Sequence, residues 1–169
     1  MDLITALNTY FEGERDLGFA LVPVGIALLA ACAWIWRSQE GPFAWGMLIP
    51  LGLFALAIGA TGVFMAQRSQ SQLTTFPAEL RADPPGFVQR EAARMAKVNA
   101  NWPRLKATWA ALTILALGLI LGVGAPWSKG LGLALLVITT TLMVTDVFAE
   151  RRAAPYTQAL RDAGGSVAP

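Results

Sequence analysis

The chain has 169 residues, of which 55% are hydrophobic and 14% charged, against about 25% charged in an average soluble domain. The length suits one helical bundle rather than a membrane domain joined to a separate catalytic domain. Net charge is only +2, the single cysteine (Cys32) rules out an internal disulfide, and the lack of histidine removes the commonest metal ligand and general base.

In chain order, residues 1–16 come first. Leu3, Ile4, Leu7, Tyr10 and Phe11 recur at helical spacing, with Asp2, Asn8 and Glu12 beside them. The pattern predicts a short amphipathic helix lying on the membrane surface, either as a contact for lipid or a partner or, the simpler reading, as a collar that covers the bundle ends. This leader carries Asp2, Glu12, Glu14 and Asp16 against Arg15 alone. A secretory signal needs a basic leading region, so the apolar run that follows is expected to remain as a span.

The first span is Leu17 to Trp36, uncharged throughout, with Pro23 in its first turns. Arg37 to Pro42 forms a tight polar connection bracketed by Trp34, Trp36 and Trp45. Indoles favour the headgroup level, so they mark one membrane face. The second span falls within Phe43 to Ala66. Gly52, Ala55, Gly59 and Gly62 place small residues three or four apart, a strip that permits close helix packing.

Residues 67–106 form the one sizeable polar segment. It is expected to break at Pro77 and again at Asp83-Pro84-Pro85-Gly86, where Asp83 can cap a helix beginning at Pro84. From there Phe87, Val88, Met95 and Trp102 repeat at helical spacing, while Arg90, Arg94 and Lys97 occupy another face. This predicts a central amphipathic helix. A break or restart is expected at Asn101 or Trp102 with Pro103.

The third span, from Ala107 to about Ala125, carries no charge and contains the G-x-x-x-G pair Gly118 and Gly122, a signal for close helix contact. Pro126 to Gly130 makes a very short turn, so the third and fourth spans are expected as antiparallel neighbours. The fourth runs from about Leu131 to Ala149 and contains Thr139, Thr140, Thr141, Thr145 and Asp146. Residues 150–169 form a tail whose Ala159-Leu160 region continues an interfacial helix, and whose last six residues read as disordered.

The fold class expected is therefore all-α. It is a polytopic membrane protein with two transmembrane hairpins (17–66 and 107–149) and a central amphipathic helix. Eleven of the thirteen Lys and Arg residues lie in the leader, the central segment and the tail; Arg37 and Lys129 lie in the short turns. The positive-inside bias then puts both termini and the central segment in the cytoplasm, in a bacterial-type inner membrane. The acidic leader, followed by Arg37 behind the first span, argues locally for the reverse; the seven cations of the central segment outweigh it.

Chemistry-bearing patterns are few. Asp146 lies roughly 22 Å beyond the turn-side interface at about 1.5 Å per residue, near the cytoplasmic rim. It is expected to pair with Arg151, Arg152 or a central-segment cation, or to touch an ion or proton path. Thr139 shares its face, and Thr141 with Thr145 forms a second pair about a quarter-turn away. Glu79, Asp83 and Glu91 form no metal-ligand pattern, and no phosphate loop or G-x-S-x-G occurs. No catalytic residue, metal ligand or cofactor is assigned.

The function expected is non-catalytic. The chain reads as a small subunit or regulator of a membrane complex, with immunity to a membrane-acting toxin as a narrower form. Phe87, Val88, Arg90, Arg94, Met95, Lys97 and Trp102 are its expected docking surface. The alternative is a small oligomeric transporter or channel with Asp146 near its cytoplasmic mouth. Expected partners are membrane lipids and a membrane protein or a second copy; a nucleic acid fits less well, because the basic bias already follows from topology.

Overall fold

The computed structural model describes residues 2–165. They form α1 (Leu3–Ser38), α2 (Pro42–Ala82), α3 (Pro84–Leu121) and α4 (Pro126–Gly165), and each helix is long and apolar enough to cross a membrane. With 36, 41, 38 and 40 residues, they extend ~54–62 Å, roughly twice a bilayer core of ~30 Å. About half of each helix therefore lies beyond its apolar stretch.

This continuity corrects the segmented reading. Leader, central segment and tail are not separate peripheral helices. Each is the polar end of a helix that also carries an apolar run. α2 passes through Pro77 and α3 through Pro103, the two expected breaks. A mid-helix proline costs one internal hydrogen bond and a steric clash. Here Phe76 and Leu80 near Pro77, and Val98 and Trp102 near Pro103, pack against the same core, and both helices continue through those positions. Gly164 and Gly165 are helical; the rest of the expected terminal disorder concerns residues outside those described.

The one sharp corner at the charged end is Asp83. Its N–H donates to Glu79 O at 3.0 Å, closing α2, while its Oδ1 accepts from Gly86 N at 3.0 Å, opening α3. A single residue thus ends one helix and caps the next, as the sequence around Pro84 implied. At the other end, residues 39–41 join α1 to α2, and Gly41 takes a left-handed φ of 98°. Residues 122–125 join α3 to α4, with the buried Ser128 hydroxyl donating to Ala125 O at 2.7 Å.

Pairing differs between the two halves. α1 and α2 run antiparallel, backbone against backbone: a Cβ on Gly18 would lie 2.7 Å from Ala66 N, and one on Gly25 would lie 2.8 Å from Ala55 O. α3 and α4 also run antiparallel, with Ala116 and Ile120 beside Gly132. α2 and α4 meet at the turn end, where Gly130 abuts the Phe43 carbonyl and Gly46 the Trp127 carbonyl. In a bilayer, lipid tails would supply no hydrophobic drive between these apolar helices, and association there would depend on this close small-residue contact.

The charged end has a conventional core. Leu7, Tyr10 and Phe11 of α1, Leu80 of α2, Phe87, Val88 and Met95 of α3, and Ala153, Tyr156 and Leu160 of α4 are all buried in one cluster. The helical periodicity of Leu3 to Phe11 therefore marks a face buried in protein.

Two glycine substitutions separate these effects. Gly18→Leu should destabilise the protein in mild detergent by about 1–3 kcal/mol through overpacking. Gly118→Ala, whose Cβ would meet nothing within 4 Å, should change stability by no more than about 0.5 kcal/mol. Thermal unfolding of the two variants checks the contrast.

Candidate functional site

Two polar constellations stand out against the apolar surround. The first lies inside the charged-end core. Arg94 and Glu91 are one turn apart on α3 and pair through two contacts, Nη2 to Oε1 at 2.6 Å and Nε to Oε2 at 2.9 Å. Glu91 is 5% exposed. The Tyr156 hydroxyl of α4 donates to Glu91 Oε1 at 3.0 Å. The Arg94 guanidinium lies over the Phe11 and Tyr10 rings of α1, 5.6 and 5.9 Å from their centroids. α2 completes the enclosure with Phe76, edge-on to both Phe11 and Phe87.

A second carboxylate extends this network toward the membrane. Tyr10 OH donates to Glu14 Oε1 at 2.7 Å, and Ser69 of α2 donates to Glu14 Oε2 at 3.4 Å. Tyr10 and Tyr156 stack with centroids 5.0 Å apart, so the two phenol–carboxylate pairs share one aromatic wall. Burial raises the Tyr10 pKa, and the Glu14 carboxylate adds to the rise. Burial likewise raises the Tyr156 pKa, helped by Glu91. For Arg94, burial works against the charged form, but hydrogen bonding and charge attraction from Glu91 outweigh it and raise the pKa. The guanidinium and phenols are thus held in fixed protonation states.

The second constellation is a seam between α3 and α4. Lys106 pairs with Glu150 at 2.6 Å, Trp109 Nε1 donates to Asp146 Oδ2 at 2.7 Å, and the Thr113 and Thr139 hydroxyls lie 3.2 Å apart. Deeper still, polar contact gives way to Ala116 against Gly132. Asp146 thus finds an indole, and of the cations expected near it Lys106 goes to Glu150 instead. Thr139 shares the seam with Asp146. Thr141 and Thr145 stand apart from it, donate to their own helix carbonyls at 2.8 and 2.9 Å, and line a cleft against Leu17 and Leu21 of α1.

The expected docking face is divided by the fold. Phe87, Val88 and Met95 are 2%, 7% and 0% exposed, and Arg94 is engaged with Glu91. Phe87, Val88 and Met95 face the interior and Arg94 is half-buried beside them, a correction with a simple cause: the apolar stripe of an amphipathic helix is covered by the other three helices. Arg90 and Lys97 stay at the surface, Arg90 within 3.6 Å of Asp83 and 4.0 Å of Glu79. Trp102 is half-buried and donates to Asn99, which in turn donates to Thr157 of α4 at 3.0 Å.

The small-residue strips are divided too. Ala55, Gly59 and Gly62 of α2 meet Gly18 and Gly25 of α1, whereas a Cβ on Gly52 or Gly118 would meet nothing within 4 Å. Gly122 is exposed, and the one contact its Cβ would make is with Gly118 of its own helix. Among the described residues, no group of three or more Cys, Asp or Glu side chains is placed to hold a metal ion.

Sequence reasoning passed over Glu91 as a site residue and missed Glu14, Tyr10, Tyr156 and Trp109. The i, i+3 spacing of Glu91 and Arg94 was a visible signal. Nothing local announced that Tyr156 lies beside them. Compared with known proteins, the chain matches no family model, no curated protein and no solved structure.

Breaking the core pair should be costly. Arg94→Ala leaves Glu91 buried and uncompensated and should lose about 3 kcal/mol; Arg94→Met with Glu91→Leu should recover most of it. Tyr156→Phe should cost about 1–3 kcal/mol. Because the folded Tyr156 pKa lies above its ordinary value of 10.0, its contribution is complete below pH 10 and is lost as pH rises beyond it. Thermal unfolding from pH 7 to 11 should show an alkaline decline that is smaller in Tyr156→Phe.

Proposed function

We propose that this chain is a non-catalytic interaction protein of a bacterial-type inner membrane, acting as a small subunit or regulator of a membrane complex. Immunity to a membrane-acting toxin is a narrower form of the same activity. In this reading, both termini and the Asp83 corner face the cytoplasm, because eleven of the thirteen cations lie on that side.

The observation that carries the proposal is the state of α3. Only 6% of its apolar stretch is buried, against 22%, 22% and 17% for α1, α2 and α4. It leans on α4 alone in that region and leaves Ile114, Leu117, Gly118 and Leu121 uncovered. Its other half is fixed in the charged-end core. A helix anchored at one end and open along its apolar length suits recognition of another spanning helix, and Gly118 with Gly122 would admit a close approach.

Purification in mild detergent is expected to recover a stoichiometric membrane-protein partner or a second copy. Gly118→Leu with Gly122→Leu should abolish recovery while leaving the unfolding temperature unchanged. Recovery of the chain with lipid alone would overturn the proposal. On the charged face, Arg90→Glu with Lys97→Glu tests whether the exposed cations contribute to the same contact.

One observation favours a second reading, a small oligomeric transporter or channel: the Asp146 carboxylate sits in a polar seam leading into the apolar half. Purified protein in liposomes would then support ion or proton flux that Asp146→Asn diminishes by about tenfold, the scale of one lost charge-assisted hydrogen bond. Equal leakage with and without protein would reject this reading for the ions tested.

A further inference from the structure

A groove of about 610 Å3 runs along the α1–α2 pair where the apolar stretches meet the charged end. Phe19, Val22 and Pro23 of α1 and Val63 and Ala66 of α2 line its depth, and Gln67 and Gln70 stand toward its polar end. Just beyond, Arg15 Nη1 donates to Gln70 Oε1 at 3.4 Å, and Arg15 Nε and Nη2 both donate to Asp16 Oδ1, at 3.1 and 3.0 Å. The rim therefore presents a cation and an anion side by side, with two amide side chains next to them.

The dimensions restrict what fits. The groove's longer wall, from Val63 to Gln70, is ~10 Å of helix, within the ~15 Å depth of one leaflet and well short of the ~30 Å a spanning helix needs. A spanning helix would run well past both ends of it, whereas an acyl chain ends within one leaflet. The groove is apolar along its length and polar at the end where the charged residues begin, which is also the polarity of a phospholipid standing in its leaflet.

The rim restricts the headgroup. Arg15 gives three of its five N–H groups to Asp16 and Gln70; the remaining N–H groups on Nη1 and Nη2 suit a phosphate diester, and the Gln67 and Gln70 amides can add to them. Asp16, with side-chain exposure of 66%, and Glu12 one turn away favour a neighbouring cation that can donate hydrogen bonds. A purely anionic headgroup satisfies Arg15 and is repelled by the acids. A quaternary ammonium carries charge without N–H donors. A primary ammonium beside a phosphate satisfies both sides.

We propose that this groove is a binding site for one aminophospholipid molecule of the phosphatidylethanolamine type, its acyl chain against Phe19, Val22, Pro23 and Val63, its phosphate at Arg15 and its ammonium at Asp16. The site is separate from the open face of α3 and does not depend on a protein partner.

The test uses the full chain in nanodiscs made in turn with phosphatidylethanolamine, phosphatidylcholine or phosphatidylglycerol as the minor lipid. Lipid retained after transfer to detergent is counted by native mass spectrometry. One phosphatidylethanolamine per chain is expected, with the other two held about tenfold less well, the scale of one charge-assisted hydrogen bond. Val63→Trp fills the groove at a position that is 45% exposed, and Arg15→Gln removes the phosphate partner. Each should lower retention about tenfold, while Leu121→Trp on α3 should leave it unchanged. Thermal unfolding verifies that each variant is folded, and if Val63→Trp is not, Arg15→Gln carries the decision. Equal retention of all three lipids, retention indifferent to both variants, or a protein rather than a lipid crosslinked from position 63 would overturn the proposal.

Discussion

Glu91 and Arg94 form a two-contact ion pair on one turn of α3, and every other helix closes over it. α1 contributes the Tyr10 and Phe11 rings beneath the guanidinium, α4 the Tyr156 hydroxyl, and α2 the Phe76 ring that seals the side. Glu91 is buried while Arg94 keeps 26% of its side chain exposed, and a pair taken this far out of water is not in itself a strong source of stability. Its consequence is a constraint. Once the aromatic core is dry, neither charge tolerates loss of the other, so the four helices are tied to one mutual arrangement at that end. The hydrophobic effect operates on this half and supplies the drive that lipid cannot.

The apolar half follows a different rule. There the helices meet where glycine or alanine allows backbones to approach: Gly18 with Gly62, Gly25 with Ala55 and Gly59, Gly132 with Ala116, Gly130 with Phe43. Where those contacts are absent, the helices part. α1 and α4 enclose a cleft in their apolar halves yet meet firmly at the charged end, where Tyr10 stacks on Tyr156. In its apolar half α3 keeps to α4 through Trp109, Thr113 and Ala116, and its remaining faces there are uncovered. A rigid charged end thus holds a loosely covered apolar end, and the uncovered surface is where the protein meets whatever surrounds it. Carboxylates near the boundary follow the same logic, since Asp146 and Glu150 each obtain a donor from α3 before the seam turns apolar.

Four apolar runs, the short turn at residues 39–41, the concentration of cations at one end and the Asp83-Pro84 helix start were all legible in the sequence, because each depends on local composition or on backbone chemistry within a few residues. The other turn lies one step earlier than the sequence implied: Pro126 to Gly130 form the first turn of α4, where proline fits a helix start, and residues 122–125 make the joint. Helix continuity was not legible. Pro77 and Pro103 are breakers by local rules, and they are overridden because residues near each of them pack into a core assembled from all four helices. The amphipathic stripe of Phe87, Val88 and Met95 showed that this face is covered, while leaving open whether by lipid, a partner or the chain itself. Only the tertiary structure decided that the covering is Leu7, Phe11, Phe76 and Tyr156. The same holds for Gly118 and Gly62, equivalent as sequence signals, of which one touches a neighbouring helix and the other does not. Periodicity records that a face is buried; which residues bury it depends on contacts between positions as distant as Tyr10 and Tyr156, and those are set by the packing of whole helices.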